Sequence, residues 1–297
     1  MLRRIINMFL NNDQKKWLKT IVTKIDKSLT NTFFKYDSKD LEYALRQLGI
    51  KSGDTVLLHV TYKFNSGYVG KPQSIVDVLI DIIGDNGNLL MVSLPYTGST
   101  LEYLQKNEVF DVRKSVSQMG IITEIFRRRQ GVLRSLHPAH PVLVYGKDSE
   151  YIVKDHDKCI FSCGKGSPFE KFYLLKGKIL FFDTTFRPIT FLHYIEDIIK
   201  NKLPFPLYTA EPIRSKVIDY NRNEIEITTF PFDRYIFENR DSLLLGKYLD
   251  DNKKLRKKKI GRTELILVDS EDAVWGVNKL LENGILIYRG HENKYKM

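Results

Sequence analysis

Cysteine is nearly absent, with two residues in 297, so no disulfide framework can hold the chain together. Cys159 and Cys163 read as free thiols. With His156 they make three potential metal ligands. A fourth is missing and the spacing fits no standard site, so no metal is expected. Long apolar runs are also absent. None approaches the roughly 20 residues of a membrane-spanning helix. The opening Met1–Leu10 is charged and then briefly apolar, with no small-residue cleavage site before Asp13, so no secretory signal is read there. Thiols without a signal point to a cytoplasmic protein. Acidic residues are in deficit, 36 against 47 basic, for a formal net charge of +11. That balance favours anionic partners and disfavours tight capture of a polycation, unless one pocket is locally acidic. Internal repeats and low-complexity tracts are lacking too.

What is present is enough for a sizeable core, with 42% hydrophobic and 12% aromatic residues. Leu2, Ile5, Ile6, Phe9 and Leu10, then Leu18, Ile21, Val22, Ile25 and Leu29, recur at helical spacing between lysines and arginines. Residues 1–37 therefore read as an amphipathic helical extension. It would pack on its own domain, on a second subunit as a homodimer, or, through residues 1–30, on a membrane surface. Residues 38–297 read as the main domain. Ser38 caps a helix Lys39–Leu48, and a strand Thr55–Val60 follows. Then come a polar loop, a helix Gln73–Ile83 and a strand Asn88–Leu94. Strand, loop, helix and strand make a β-α-β unit, the mark of an α/β sheet. Further strands are expected at Val142–Tyr145, Lys178–Phe182 and Glu264–Val268, giving a central mixed sheet flanked by helices. Ser117 is read as the cap of a helix Met119–Arg129, and Ser270 as the cap of the last helix. Ile285–Tyr288 reads as one more strand. Val217–Tyr220 and Glu224–Thr229 read as a small β-hairpin excursion shaping a pocket. The run Lys253–Lys259 reads as solvated surface, with nucleic-acid binding not expected.

The stretch Pro188–Glu196 carries the chemistry. It follows an apolar strand and a polar turn, with Pro188 read in the first turn of a helix. On that helix His193 and Glu196 share a face at i and i+3. A carboxylate beside an imidazole fixes its tautomer and raises its basicity, which is how a general base is built.

Taken in order, the motifs resemble the aminoglycoside 3-N-acetyltransferase family, enzymes that use acetyl-CoA. The matching residues are Leu48-Gly49-Ile50, Gly53-Asp54, His59 and Val69-Gly70-Lys71. They continue with Met119-Gly120 through Glu124, Arg134-Ser135-Leu136-His137-Pro138, Gly164–Pro168 and Thr190–Glu196. The match spans roughly Ser38 to Asn283. Departures are Val60-Thr61-Tyr62 after the first histidine, Lys71 for a second glycine, and Phe182-Asp183 before the key helix.

The resemblance implies an N-acyltransferase with acetyl-CoA as donor. His193 would take the amine proton, Glu196 would orient it, His59 would enter from the other strand end, and Thr190 would donate to the oxyanion. Thr61, Lys63, Val69, Gly70 and Lys71, with Met119, Gly120 and His137, would hold CoA, its phosphates on the Lys63–Lys71 loop. Because the chain is basic, the expected acceptor is a nucleotide-linked amino sugar bound for a surface polysaccharide. An aminoglycoside, with resistance as the outcome, is the alternative. A non-catalytic basic module for nucleic acid or membranes is the reading from another class.

Overall fold

The computed structural model describes residues 11–289. The apolar pattern from Leu2 to Leu10 lies outside them. Beyond it the pattern forms α1 (Asn12–Phe33), started by a capping box between Asn11 and Gln14. Helix α2 (Ser38–Leu48) is capped by Asp37, not Ser38. The Asp37 carboxylate accepts from the N–H groups of Lys39 and Asp40.

The β-α-β unit is present as β1 (Thr55–Val60), α3 (Pro72–Ile83) and β2 (Asn88–Val92). β2 lies parallel to β1 on one side, and β6 (Lys178–Phe182) lies parallel to it on the other. Antiparallel strands extend both edges. β5 (Val142–Gly146) and β4 (Leu133–Arg134) continue past β2. β10 (Thr263–Asp269) and β9 (Arg256–Ile260) continue past β6. The order β4-β5-β2-β1-β6-β10-β9 makes a seven-stranded mixed sheet.

Both faces of this sheet are buried, as side-chain alternation along each strand allows. Val56 and Leu58 of β1, with Leu180 and Phe182 of β6, join the core under α2 and α3. Leu57, Ile179 and Phe181 point the other way. That second core is closed by α7 (Pro168–Leu174), α8 (Leu192–Ile199), α10 (Ser242–Asp251) and α11 (Ser270–Glu282).

The hairpin excursion is β7 (Ile213–Ile218) and β8 (Glu224–Thr229). With β3 (Phe110–Asp111) it makes a separate three-stranded sheet. Four smaller helices complete the framework: α4 (Thr100–Gln105), α5 (Ile121–Arg127), α6 (Ser149–Val153) and α9 (Arg234–Asn239).

Several expectations need correcting. The basic run is not simply solvated, since Arg256–Ile260 is the edge strand β9. Lysines on an edge strand discourage pairing with another chain. α5 is shorter than expected. Ser117 does not cap it, because Gly120 is the N-cap and the Ser117 N–H donates to Glu124. Asp269 precedes α11, so Ser270 is its first residue. Pro188 lies in a turn before α8 and not inside it. Ile285–Tyr288 makes no strand, only an isolated bridge between Tyr288 and Arg240.

Candidate active site

The parallel strand β1 sends its chain out to β2 on one side while β6 arrives from the other. β1 and β6 stay paired to their carboxyl ends, but α3 follows β1 over one face of the sheet and α8 follows β6 over the other, which leaves a crevice beyond those ends, the usual ligand position in such sheets. A cavity of about 350 Å³ lies there, lined by Leu58, His59 and Val60 of β1, by Thr61 just past it, and by Thr184, Thr185, Arg187 and Thr190 after β6. Met119 and Thr123 close it from the α5 side. A groove lined by Thr61, Tyr62, Met119 and Gly120 continues outward. A second cavity of about 120 Å³ shares Thr190 and is lined by Tyr96, Thr100, His140, His193, Phe232 and Arg240. Thr190 thus stands between two openings, one at the sheet end and one in front of His193.

His193 is the second residue of α8. Its Nδ1 lies 3.1 Å from a Glu196 oxygen. With the carboxylate accepting, Nδ1 carries the hydrogen and Nε2 keeps the lone pair. Glu196 is fully buried. It follows Leu192 and Ile195 on a buried helix face, where a charge survives only with partners. Arg240, just past α9, donates Nε and Nη2 to its two oxygens at 2.7 and 2.8 Å. The Tyr288 hydroxyl donates at 2.7 Å. Burial by itself pushes the Glu196 carboxyl up, yet Arg240 and His193 outweigh it and hold it down to about 2. His193, with its side chain 15% exposed, is pushed down to about 4 by burial and by Arg240, against the pull of Glu196. At neutral pH it is a neutral imidazole beside an ionised carboxylate, ready to accept a proton at Nε2. Burial and Arg240 thus override the raised basicity expected of an imidazole beside a carboxylate.

The Arg134–Pro141 segment places two histidines behind this site, His137 and His140, and His156 packs against the first. His140 faces His193 edge-on with centroids 5.2 Å apart, and its Nδ1 meets the Ser162 hydroxyl at 2.7 Å. His137 is stacked on His156, and its Nε2 meets the Cys159 carbonyl at 3.1 Å. Burial holds the His137 ring down to about 4. His140 and His156 are pushed well below the usual range by burial and neighbouring histidines.

The structure brings together His59, Thr61, Met119, Gly120, Thr190, His193 and Glu196. His59 is buried against Phe181, and burial lowers it to about 4. Its Nε2 has no hydrogen-bond partner among the described residues. Thr190 Oγ1 donates weakly to the Pro188 carbonyl at 3.3 Å. Lys63, Val69, Gly70, Lys71 and His137 line neither cavity. Lys63 is drawn to the buried carboxylate of Asp183 at 2.9 Å, and Lys71 is the N-cap position of α3. Sequence reasoning missed Arg240 and Tyr288. The one signal for them was a glutamate on an apolar helix face, which requires a cation from elsewhere. Among the described residues no cluster of three or more His, Cys, Asp or Glu is arranged to hold a metal.

The comparisons with known proteins agree on one family. The aminoglycoside 3-N-acetyltransferase family profile matches residues 57–282. The aminoglycoside N(3)-acetyltransferase III of Pseudomonas aeruginosa is 26% identical over 225 residues, covering 68% of this chain and 80% of its own. The prophage-derived aminoglycoside N(3')-acetyltransferase-like protein YokD of Bacillus subtilis is 26% identical over 186 residues, covering 57% and 68%. In fold, the chain resembles the acetyltransferase AAC(3)-Xa, with TM-score 0.72 and 22% identity over 91% of this chain and 99% of that one. It also resembles AAC-IIIb solved with CoASH, with TM-score 0.69 and 20% identity over 84% and 97%. The chain belongs to the aminoglycoside 3-N-acetyltransferase family. It is an acyltransferase that moves an acyl group from CoA to an amine, and acetyl-CoA is its donor.

The residues present fit that donor. The groove and first cavity offer a path of apolar and threonine side chains from the surface to Thr190, with the Arg187 cation at one side and the unpartnered His59 Nε2 inside. Such a path suits a narrow amide-bearing arm that ends in a thioester and trails phosphates.

Proposed function

We propose that this chain acetylates a 3-amino group of an aminoglycoside, with His193 as general base. The observation that carries the reading is the ordered His193–Glu196–Arg240–Tyr288 network in a cavity that shares Thr190 with the donor cavity. The donor supplies an activated acetyl group. In the second cavity the acceptor amine is neutral when it attacks, and His193 Nε2 takes the proton released as the C–N bond forms; the C–S bond then breaks, and the imidazolium returns that proton to the departing CoA thiolate. Glu196 holds the resulting imidazolium, and Arg240 and Tyr288 hold Glu196 in place. Thr190, between the cavities, exchanges its weak bond to Pro188 for the oxyanion. His59 gives the thioester end of the donor a hydrogen bond.

The nucleotide-linked amino sugar rested on net charge, a property of the whole surface. The relatives compared here are named for aminoglycosides, which supports that acceptor class instead. One observation favours an acceptor with few amines over a heavily charged one. Among the described residues lining the second cavity there is no carboxylate, and Arg240 is already neutralised by Glu196. Thiol release from acetyl-CoA with a panel of aminoglycosides bearing from two to six amines tests both points. Turnover with at least one member is expected, greatest for the less charged. Turnover only with nucleotide-linked amino sugars would sink the proposal.

A further inference from the structure

The helix α1 lies outside the matched family region. Its root is fixed to the main domain. The Phe34 carbonyl sits against Gly67 and Gly261, Arg262 stacks on the Phe34 ring, and Tyr36 is bound to Thr263. Along the helix, however, large apolar side chains face solvent. Trp17 is 64% exposed, Val22 61%, Leu29 44% and Phe33 73%. At about 100° per residue these four fall within about 160° of one another, so they form one face. The segment from residue 11 to 35 carries Lys15, Lys16, Lys19, Lys24, Lys27 and Lys35 against only Asp13 and Asp26.

We infer that this face docks on an anionic lipid surface and holds the enzyme there. An exposed apolar face on a lysine-rich helix matches both layers of such a surface, acyl chains below and negative headgroups above. A second copy fits less well, because two helices of net positive charge would be brought together with few acidic partners. No helix among the described residues is long and apolar enough to cross a membrane, so the contact is peripheral.

The chain has two tryptophans, Trp17 and Trp275, and the second packs near Tyr248 in the main domain. Trp275→Phe in the full chain makes Trp17 the sole reporter. Vesicles of phosphatidylglycerol and phosphatidylcholine should shift its emission to shorter wavelength and sediment the protein. Vesicles of phosphatidylcholine alone should bind at least about tenfold less, and salt at about 0.5 M should release the protein. Val22→Asp and Leu29→Asp, both at exposed positions, should each weaken sedimentation by about tenfold and leave acetylation in solution unchanged. No emission shift with either vesicle overturns the inference. So does a dimer by light scattering that Val22→Asp dissolves while vesicles fail to bind, since the face would then belong to a second copy.

Discussion

Arg240 decides the state of the site. It grips both oxygens of a buried carboxylate that would otherwise be expelled or protonated. Arg240→Ala leaves Glu196 as an uncompensated buried charge, so unfolding free energy should fall by about 3–5 kcal/mol in denaturant titration. His193→Ala should lower kcat by about 10²- to 10⁴-fold. Glu196→Gln should cost less, since the imidazole stays but loses the charge that holds its cation. A folded His193→Ala enzyme with near wild-type turnover would remove the base assignment. The pH profile separates base from substrate. With His193 at about 4, the base is already free above about pH 5, so kcat/KM should show no inflection near 6.5 from it. Any rise between pH 6 and 9 should follow the acceptor amine, and two acceptors of different amine pKa should displace the profile accordingly. A profile that keeps one position with both would assign the titration to the protein.

At the scale of elements, two glycines hold the root of α1. A Cβ on Gly67 would stand 1.9 Å from the Phe34 carbonyl oxygen, and its backbone has φ +98°. Gly67→Ala therefore meets backbone and strain together, and should destabilise the junction by about 1–3 kcal/mol. Hydrogen exchange should accelerate in residues 30–36 and 66–69 before the main sheet responds; uniform exchange would show that the junction is not a separate unit. This is also the scale at which the sequence was most readable. β1, α3, β2 and β6 announce themselves because each is fully buried or strongly periodic and bounded by Gly-Asp or polar turns. β3 and β4 span two residues each, too few for any period. β9 was hidden because its lysines carry the alternation of an edge strand with hardly any apolar residues. Within the candidate site, His193 and Glu196 were legible as an i, i+3 pair. Arg240 and Tyr288 lie 44 and 92 residues from Glu196, and no local spacing links them.

For the molecule as a whole, acid should be the weak direction. Four buried histidines, His59, His137, His140 and His156, and the half-buried His193 all have folded values below the ordinary 6.5. The unfolded chain binds protons on them first. Their contribution to stability is complete above about pH 6.5 and is lost as pH falls towards 4, because protons then favour the unfolded state. Thermal midpoints should hold steady from pH 8 to 7 and drop steeply from 6.5 to 4. His140→Asn, which removes one such group, should flatten that drop; an unchanged slope would shift the explanation to carboxylates.

The Glu196 network also sets an order in time. On the ribosome, His193 and Glu196 emerge first, Arg240 follows, and Tyr288 comes last. Until Tyr288 leaves the exit tunnel the carboxylate lacks one of its three clasps. A nascent chain that stalls after the central strands can build most of the sheet and still hold an unfinished His193–Glu196 pair. On the proposed mechanism, acetylation competence is expected late in synthesis, and a chain truncated before Arg240 should bind donor at most, without turning it over.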